Sequence, residues 1–332
     1  MLHTRRRWTA AIAVLMGLAA MCEAAPVQLA GGGPAGKKVL LVDSYHSGYP
    51  WSDGLEKGVR DVLEPAGVEL EIVRMDTKRK SSESEQKAAA AVALEAITRF
   101  RPDVVIAADD NAQEHLVVPF LRGGEVPVVF CGVNWDASEY GYPAANVTGM
   151  VETEGVEEMV SLFRRDAKGT RIGYVSGDTD TDRKITREFN KRFFNGSMKV
   201  YFVKDFEQFK KTFLKAQSEA DMLFLRNFAG IEGWEPKTAK AFLLKNTRVP
   251  TGSHLDFMAD FVIYTIGKVP EEQGEYAART ALRILGGESP ADIPTAVNER
   301  VRLVVNLEMA EAAGVVVPLS VLKTATVIGR QR

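Results

Sequence analysis

Aromatic side chains crowd one short segment near the beginning of the sequence. Three aromatic rings and an imidazole lie within seven residues, directly after a serine: Ser44, Tyr45, His46, Tyr49 and Trp51. Gly48 and Pro50 mark the segment as a loop, where so many rings are unusual because loop backbone faces water. The rings can enclose a flat ligand, with Ser44 and His46 supplying hydrogen bonds. Alternatively, they only fill the gap between the loop and the next helix.

Further polar side chains follow other apolar runs. They are Asp109, Asp110 and Asn134, and later Asp178, Thr179, Arg226, His254 and Asp256. Asp109 or Asp110 can contact a ligand, or both can serve only the turn and the helix cap beside Asn111. Arg226 is able to bind a carboxylate through two parallel hydrogen bonds. Asp178 and Asp180 disfavour a phosphate in their loop and suit an amine or hydroxyl groups.

Sequence motifs of catalysis or cofactor binding are missing. The four histidines show no H-E-x-x-H zinc spacing, and no G-x-S-x-G, P-loop or dinucleotide motif is present. The pair Asp178 and Asp180 lacks the glycine and distal glutamate of a calcium loop. Ser44, His254 and Asp256 would make a triad, but sequence order alone does not establish one. We therefore expect a binding protein without catalytic residues, cofactor or metal.

Charge excludes one class of partner. The 332 residues include 42 Lys and Arg against 44 Asp and Glu, which gives a net charge of -2. Proteins that bind nucleic acid need a basic surface, so this composition gives no case for one. The length suits two domains of about 150 residues each.

The first 24 residues have the pattern of a signal peptide. Arg5 to Arg7 precede an apolar stretch over 8–21, and small residues surround the expected cleavage point after Ala24. The apolar stretch is short for a membrane span of about 20 residues, although an uncleaved anchor stays an alternative. We therefore expect export to the periplasm, with residues 25–36 as a flexible leader.

Cysteine usage leaves one question open. Cys22 could carry a lipid anchor, although lipoprotein signals have a small residue before the cysteine and Met21 stands there. If the signal peptide is removed, Cys131 is the one cysteine left, so we expect no internal disulfide. Cys131 follows an apolar run and is expected to be a buried, inert thiol.

From Lys37 onward, short apolar runs alternate with helical patterns. Residues 39–42 are typical of a buried strand, a helix is expected from about Asp53, and Ser82 with Glu85 forms a capping box before a long helix. The pattern restarts near Val156, and a late strand is expected over 261–266. Such alternation predicts α/β architecture: two doubly wound, Rossmann-like lobes with parallel sheets. Their ligand crevice is expected at the carboxyl ends of the strands.

The segment 39–54, VLLVDSYHSGYPWSDG, resembles the opening of the ABC-transporter substrate-binding family with the type I periplasmic fold. The branch whose first loop reads Tyr-His-x-Gly-Tyr-x-Trp is most similar, and similar segments occur in extracellular sensor domains. Three other stretches resemble this family, over 132–152, 274–294 and 304–318.

The resemblance implies a domain plan and a function. Lobe 1 would hold 37–147 plus 269–287, lobe 2 would hold 148–268 plus 288–332, and three crossings would form a hinge. The protein would be a monomer that binds a small molecule and delivers it to the permease of an ABC transporter. The family takes varied small molecules, and it is the aromatic loop from Tyr45 to Trp51 that predicts a small polar, amino-acid-like or aromatic ligand. Alternatively, it would dock on a membrane sensor kinase or cyclase.

Overall fold

The computed structural model describes residues 33–228 and 230–329. The expected signal peptide over 1–24, Cys22 and most of the expected leader lie outside these ranges. Within them, no helix is both long enough and apolar enough to cross a membrane.

The first lobe is built on a six-stranded parallel sheet of β1 (Lys38–Asp43), β2 (Glu69–Arg74), β3 (Val104–Ala108), β4 (Val128–Asn134), β5 (Val147–Glu152) and β11 (Ala296–Val297). The strand order is β11-β5-β4-β3-β1-β2. Its helices are α1 (Pro50–Leu63), α2 (Glu83–Phe100), α3 (Asp109–Ala112), which continues as a π-helix over Gln113–Leu121, and α8 (Pro270–Leu285). Short 3-10 helices lie at Ala137–Tyr140 and Pro290–Asp292.

The second lobe has a seven-stranded sheet with the order β13-β12-β10-β9-β8-β6-β7. Its strands are β6 (Ile172–Gly177), β7 (Lys199–Val203), β8 (Met222–Leu225), β9 (Thr251–Ser253), β10 (Tyr264–Lys268), β12 (Val301–Asn306) and β13 (Thr326–Ile328). Its helices are α4 (Val156–Asp166), α5 (Asp180–Phe194), α6 (Phe206–Glu219), α7 (Pro236–Asn246), α9 (Leu307–Ala313) and α10 (Leu319–Leu322), with a 3-10 helix at Asp256–Met258. Only the β10–β12 pairing is antiparallel among the described strands of this sheet.

Both lobes are doubly wound, as the alternation of elements predicts. The orders β2-β1-β3-β4-β5 and β7-β6-β8-β9-β10 are the same arrangement twice, with helices covering both faces of each sheet. The central strands β1, β3 and β4 are apolar along most of their length because each is buried on both faces. In such sheets ligands bind beyond the carboxyl ends of the strands.

Helix α8 belongs to the first lobe although it follows the second lobe's strand β10. Ala277, Ala278 and Ala281 are fully buried in the core beneath β1 and β3. The helix lies so close to α1 that a Cβ atom at Gly274 would sit 2.0 Å from the carbonyl oxygen of Leu55. A side chain there is impossible without moving backbone, so glycine is what permits this packing.

Two of the expected lobe boundaries differ from the strand pairing. β5 pairs with β4, so the first lobe continues past residue 147 and the first crossing falls at 153–155. β11 pairs with β5, so residues 288–297 return to the first lobe and the third crossing falls at 298–300. The sequence pattern missed both because each strand lies inside a stretch that resembles a connector. The second crossing lies at Val269, between β10 and α8.

Side-chain hydrogen bonds hold the three crossings together. Asn298 Oδ1 accepts the backbone N–H of Thr153 at 2.6 Å, and Asn298 Nδ2 donates to the Thr153 carbonyl oxygen at 3.2 Å. Glu272, in the first turn of α8, accepts the backbone N–H groups of Glu299 and Arg300, each at 2.9 Å. The crossings therefore form one hydrogen-bonded unit, which suits a hinge between two rigid lobes.

One local feature differs from the sequence expectations and two agree with them. Helix α1 begins at Pro50, earlier than expected, and Asp53 accepts the backbone N–H of Gly48 at 2.9 Å instead of capping the helix. Ser82 and Glu85 do form the predicted capping box. Cys131 is buried and unpaired.

Candidate ligand-binding site

A cavity of about 380 Å³ lies between the lobes, at the carboxyl ends of strands from both sheets. From the first lobe it is lined by Tyr45, Tyr49, Trp51, Asp109, Asn134 and Glu152. From the second lobe it is lined by His254, Leu255, Asp256 and Lys268. An adjoining cavity of about 340 Å³ shares Asn134, His254 and Lys268 and extends to Trp135, Glu154 and Arg226. The position agrees with the general rule for doubly wound sheets.

Aromatic rings form one wall of the first cavity. Tyr45 and Tyr49 meet edge to face with their ring centroids 5.3 Å apart. The ammonium of Lys78, an exposed residue, lies 4.3 Å from the centroid of Tyr45 and 5.4 Å from that of Tyr49. Burial raises the pKa of Tyr45, and the nearby Asp109 carboxyl raises it further, so the phenol stays neutral. Rings of this kind can pack against flat groups, and Lys78 already takes the place of a cation over them.

Asp109 is a buried carboxyl group at the base of the cavity. It follows β3 directly, with a left-handed φ of 67°, and only 4% of its surface is exposed. Trp51 Nε1 donates to its Oδ1 at 2.8 Å, whereas Oδ2 is buried without a hydrogen-bond partner among the described residues. Burial raises the pKa of Asp109 well above its usual range, and the charge of Glu152 adds to this. Buried polar atoms normally have partners, so Oδ2 marks a place for one.

An ion pair joins the lobes across the crevice. Lys268, the last residue of β10, contacts Glu152, the last residue of β5, and its Nζ lies 3.9 Å from Glu154 Oε1. Burial opposes the lysine charge, but the two carboxylates outweigh it and raise the pKa of Lys268. Burial also raises the pKa of Glu152, with Lys268 opposing part of the rise. The second oxygen of Glu152, Oε2, is buried without a hydrogen-bond partner within the described chain.

His254 faces the crevice from the second lobe as a neutral ring. It stacks on Phe224 with the ring centroids 5.2 Å apart. Burial lowers the pKa of His254 to about 4, since the cost of burying a charge exceeds the attraction of Glu154. Both ring nitrogens are buried and lack partners among the described residues. A neutral imidazole has one donor and one acceptor, so it can serve either kind of ligand group.

Comparison with known proteins identifies the family. The sequence matches the ABC transporter substrate binding protein family over residues 49–328. The chain belongs to the ABC transporter substrate-binding protein family. A search of curated proteins gives no match.

Solved structures of similar fold include proteins of the same general kind. A ligand-free, open substrate-binding protein with adhesive properties from Clostridium difficile shares 16% identity, with a TM-score of 0.65 and coverage of 89% of this chain and 100% of that one. An ABC domain in complex with L-Trp from Streptococcus pneumonia shares 17% identity, with a TM-score of 0.56 and coverage of 88% and 99%. A periplasmic ribose ABC transporter protein from Conexibacter woesei shares 15% identity, with a TM-score of 0.56 and coverage of 86% and 97%. The substrate-binding protein thus has the type I periplasmic-binding fold.

Three residues predicted for the site of this substrate-binding protein support the crevice instead of lining it. Ser44 is fully buried, donates to the Ala108 carbonyl oxygen at 2.6 Å and accepts the Ala112 N–H at 2.9 Å. His46 Nδ1 lies 3.5 Å from an oxygen of Asp76. Asp110 accepts from Asn134 at 2.5 Å and from Tyr140 at 2.8 Å, and so positions the Asn134 amide.

Of the site residues predicted in the second lobe, some line a cavity and others do not. Asp178 pairs with Arg183 at 2.5 Å, which lowers its pKa, and Thr179 caps α5 through a 3.0 Å bond from the Asp182 N–H. Neither lines the two cavities described above, and the side chain of Asp180 lies outside the described part. Asp178 is therefore not among the side chains that line the cavity with Tyr45, Tyr49 and Trp51. Arg226 lines the second cavity, 3.4 Å from Asp182, and Asp256 lines the first.

Four charged lining residues escaped the sequence analysis: Lys78, Glu152, Glu154 and Lys268. Glu152 and Lys268 each end a strand, so they occupy the same kind of position as Asp109, which directly follows one. Neither was predicted, because β5 lies in a stretch that resembles a connector and because the strand expected over 261–266 extends to Lys268. In the described residues, no cluster of His, Cys, Asp and Glu is suited to hold a metal ion.

The buried His254 predicts an acid-dependent loss of stability. Its pKa is about 4 in the folded protein and about 6.5 in an unfolded chain, so the unfolded state binds the proton more readily. Stability is therefore lost as the pH falls from 6.5 towards 4, by about 1 to 3 kcal/mol, and is unaffected above pH 7. Urea unfolding at pH 7 and pH 4.5 should show a smaller loss for His254→Gln than for the wild type. Equal losses in the two proteins would contradict this assignment.

Proposed function

We propose that the protein is an extracytoplasmic solute-binding protein that captures a small polar ligand with a flat ring and delivers it to an ABC permease. The observation that carries this proposal is the aromatic-walled cavity between the lobes. Tyr45 and Tyr49 from one short loop and Trp51 from the first turn of α1 line this cavity together with His254 of the second lobe. Family membership supports a role in substrate capture, and the signal-peptide pattern over residues 1–24 supports export.

The size and charges of the cavity favour a ligand like an amino acid. A volume of about 380 Å³ lies at the small end of the range for ligand sites. Acidic and basic side chains both line it, so a ligand with two charges of opposite sign finds a partner for each. The similar structure from Streptococcus pneumonia is in complex with L-Trp, which agrees with an aromatic amino acid here.

Capture would proceed by closure of the lobes about the hydrogen-bonded crossings. A ligand that contacts Trp51 from one lobe and His254 from the other binds the closed state better than the open state. It therefore shifts the population towards closure by its difference in affinity for the two states. The permease would then recognise the closed form.

A thermal-shift screen of the purified, exported protein tests this function. The library contains amino acids, aromatic amines, sugars and inorganic anions at millimolar concentration. We expect the largest stabilisation from polar molecules that carry a ring, because a ligand at 100 times its Kd raises stability by about 2.7 kcal/mol. Stabilisation by sugars alone, by inorganic anions alone or by no compound at all would contradict the proposal.

A further inference from the structure

We propose that the ligand carries an ammonium group and that Asp109 and Glu152 bind it at the base of the crevice. This inference rests on the function proposed above and names the chemical class of the ligand. A ring-bearing carboxylic acid without an amine would be rejected by the same site.

Two buried oxygen atoms without partners carry the inference. Asp109 is 4% exposed and Glu152 is 6% exposed, and both line the first cavity. Asp109 Oδ2 and Glu152 Oε2 each lack a hydrogen-bond partner among the described residues, whereas the other oxygen of each group is used, by Trp51 and by Lys268. Burial raises the pKa of both carboxyl groups, and a bound ammonium opposes that rise, so in its presence both atoms can accept hydrogen bonds from its three donors.

The charges around Asp109 select a cation over a neutral donor. The ionisable groups that act on it most strongly are Glu152, Asp43 and Asp110, which are all acidic. Lys268 already contacts Glu152 and lies near Glu154, so it is shared between two carboxylates. The base of the cavity therefore has an excess of negative charge. An additional positive charge there offsets this excess, whereas an anion increases it.

Lys78 supplies the partner for the other end of the ligand. Its ammonium lines the cavity and lies 4.3 Å from the ring centroid of Tyr45 and 5.4 Å from that of Tyr49. Because the protein's own cation takes this position over the rings, the ligand ammonium belongs at the buried carboxyl groups and an acidic end of the ligand belongs beside Lys78. A zwitterion satisfies both ends.

Two series of probes that differ by one group test the inference. One series is L-tryptophan, tryptamine and indole-3-propionate, and the other is L-phenylalanine, phenethylamine and 3-phenylpropionate. Isothermal titration should show that the members with an ammonium group in at least one series bind at least tenfold more tightly than the acid without it. If only the acids bind, the ammonium assignment is wrong. It is also wrong if the screen finds other ligands but no ammonium-bearing member of either series binds. In both cases the proposed function still stands.

A matched pair of variants locates the ammonium. Asp109→Asn keeps an acceptor for Trp51 and removes the carboxylate, so we expect at least a tenfold loss of affinity for the best amine probe. Asp178→Asn changes the same residue type at another strand end, outside both cavities, and should bind as the wild type does. If Asp109→Asn does not fold, Glu152→Gln must show the tenfold loss instead. Unchanged affinity in the folded variant overturns the assignment.

Discussion

Replacing Trp51 with alanine is expected to weaken ligand binding by about 30-fold to 100-fold while leaving the protein folded. The substitution removes a ring from the cavity wall and the indole N–H that holds Asp109 at 2.8 Å. Loss of a stacked ring and of one charge-assisted hydrogen bond costs about 2 to 3 kcal/mol together. Affinity measured by isothermal titration, with circular dichroism for the fold, checks the expectation.

Two further variants separate the ring from its hydrogen bond. Trp51→Phe keeps a ring but loses the N–H, so its affinity should fall between those of the wild type and Trp51→Ala. Phe120→Ala removes an exposed ring (57% exposed) that lines neither cavity, and it should leave binding unchanged. If Trp51→Ala binds as tightly as the wild type, the ring serves packing of the loop only.

Replacing Lys268 with methionine is expected to destabilise the protein by about 3 kcal/mol or more. The lysine is the cation that contacts Glu152, and only 7% of the Glu152 side chain is exposed. Removing one partner of a buried ion pair leaves the other charge unpaired, which costs about 3 to 5 kcal/mol. Urea denaturation of the variant and the wild type at pH 7 measures the loss.

A double variant isolates the pair from the loss of packing. Lys268→Met with Glu152→Gln removes both charges, so it should recover most of the stability that Lys268→Met loses. Lys57→Met breaks an exposed pair with Asp61 and should cost under about 1 kcal/mol. No recovery in the double variant would mean that Lys268 stabilises the crevice through its aliphatic chain and not through its charge.

The alternation of elements was enough to predict two doubly wound lobes. In the first lobe β1, β3 and β4 are apolar runs with distinct ends, so the period and length of the pattern identify them. The two misplaced boundaries have a different origin. β5 and β11 lie at the end of the first sheet, and β11 has only two residues, Ala296–Val297. A pair of residues carries no periodicity, so only the pairing with β5 reveals the strand.

Sequence reasoning found the aromatic wall because its signal is local. Tyr45, Tyr49 and Trp51 are close in the chain, and they are also close in the cavity. The ion pair of Lys268 with Glu152 was not predictable in this way, because the two residues are 116 positions apart. Ser44 and His46 precede and share the loop of the rings, but Ser44 bonds to backbone and His46 lies beside Asp76, a distinction that depends on side-chain direction and not on spacing.

Trp135 connects the mechanics of the protein to its fluorescence. Its indole, on the first lobe, donates to Glu154 at 2.5 Å and lies beneath the guanidinium of Arg192, 5.3 Å away on helix α5 of the second lobe. Separation of the lobes withdraws that charge and admits water to the ring, and both changes alter the emission of an indole. We therefore expect closure of the lobes to change the indole emission without an attached dye, and a Trp135→Phe variant distinguishes this signal from those of Trp51 and Trp234.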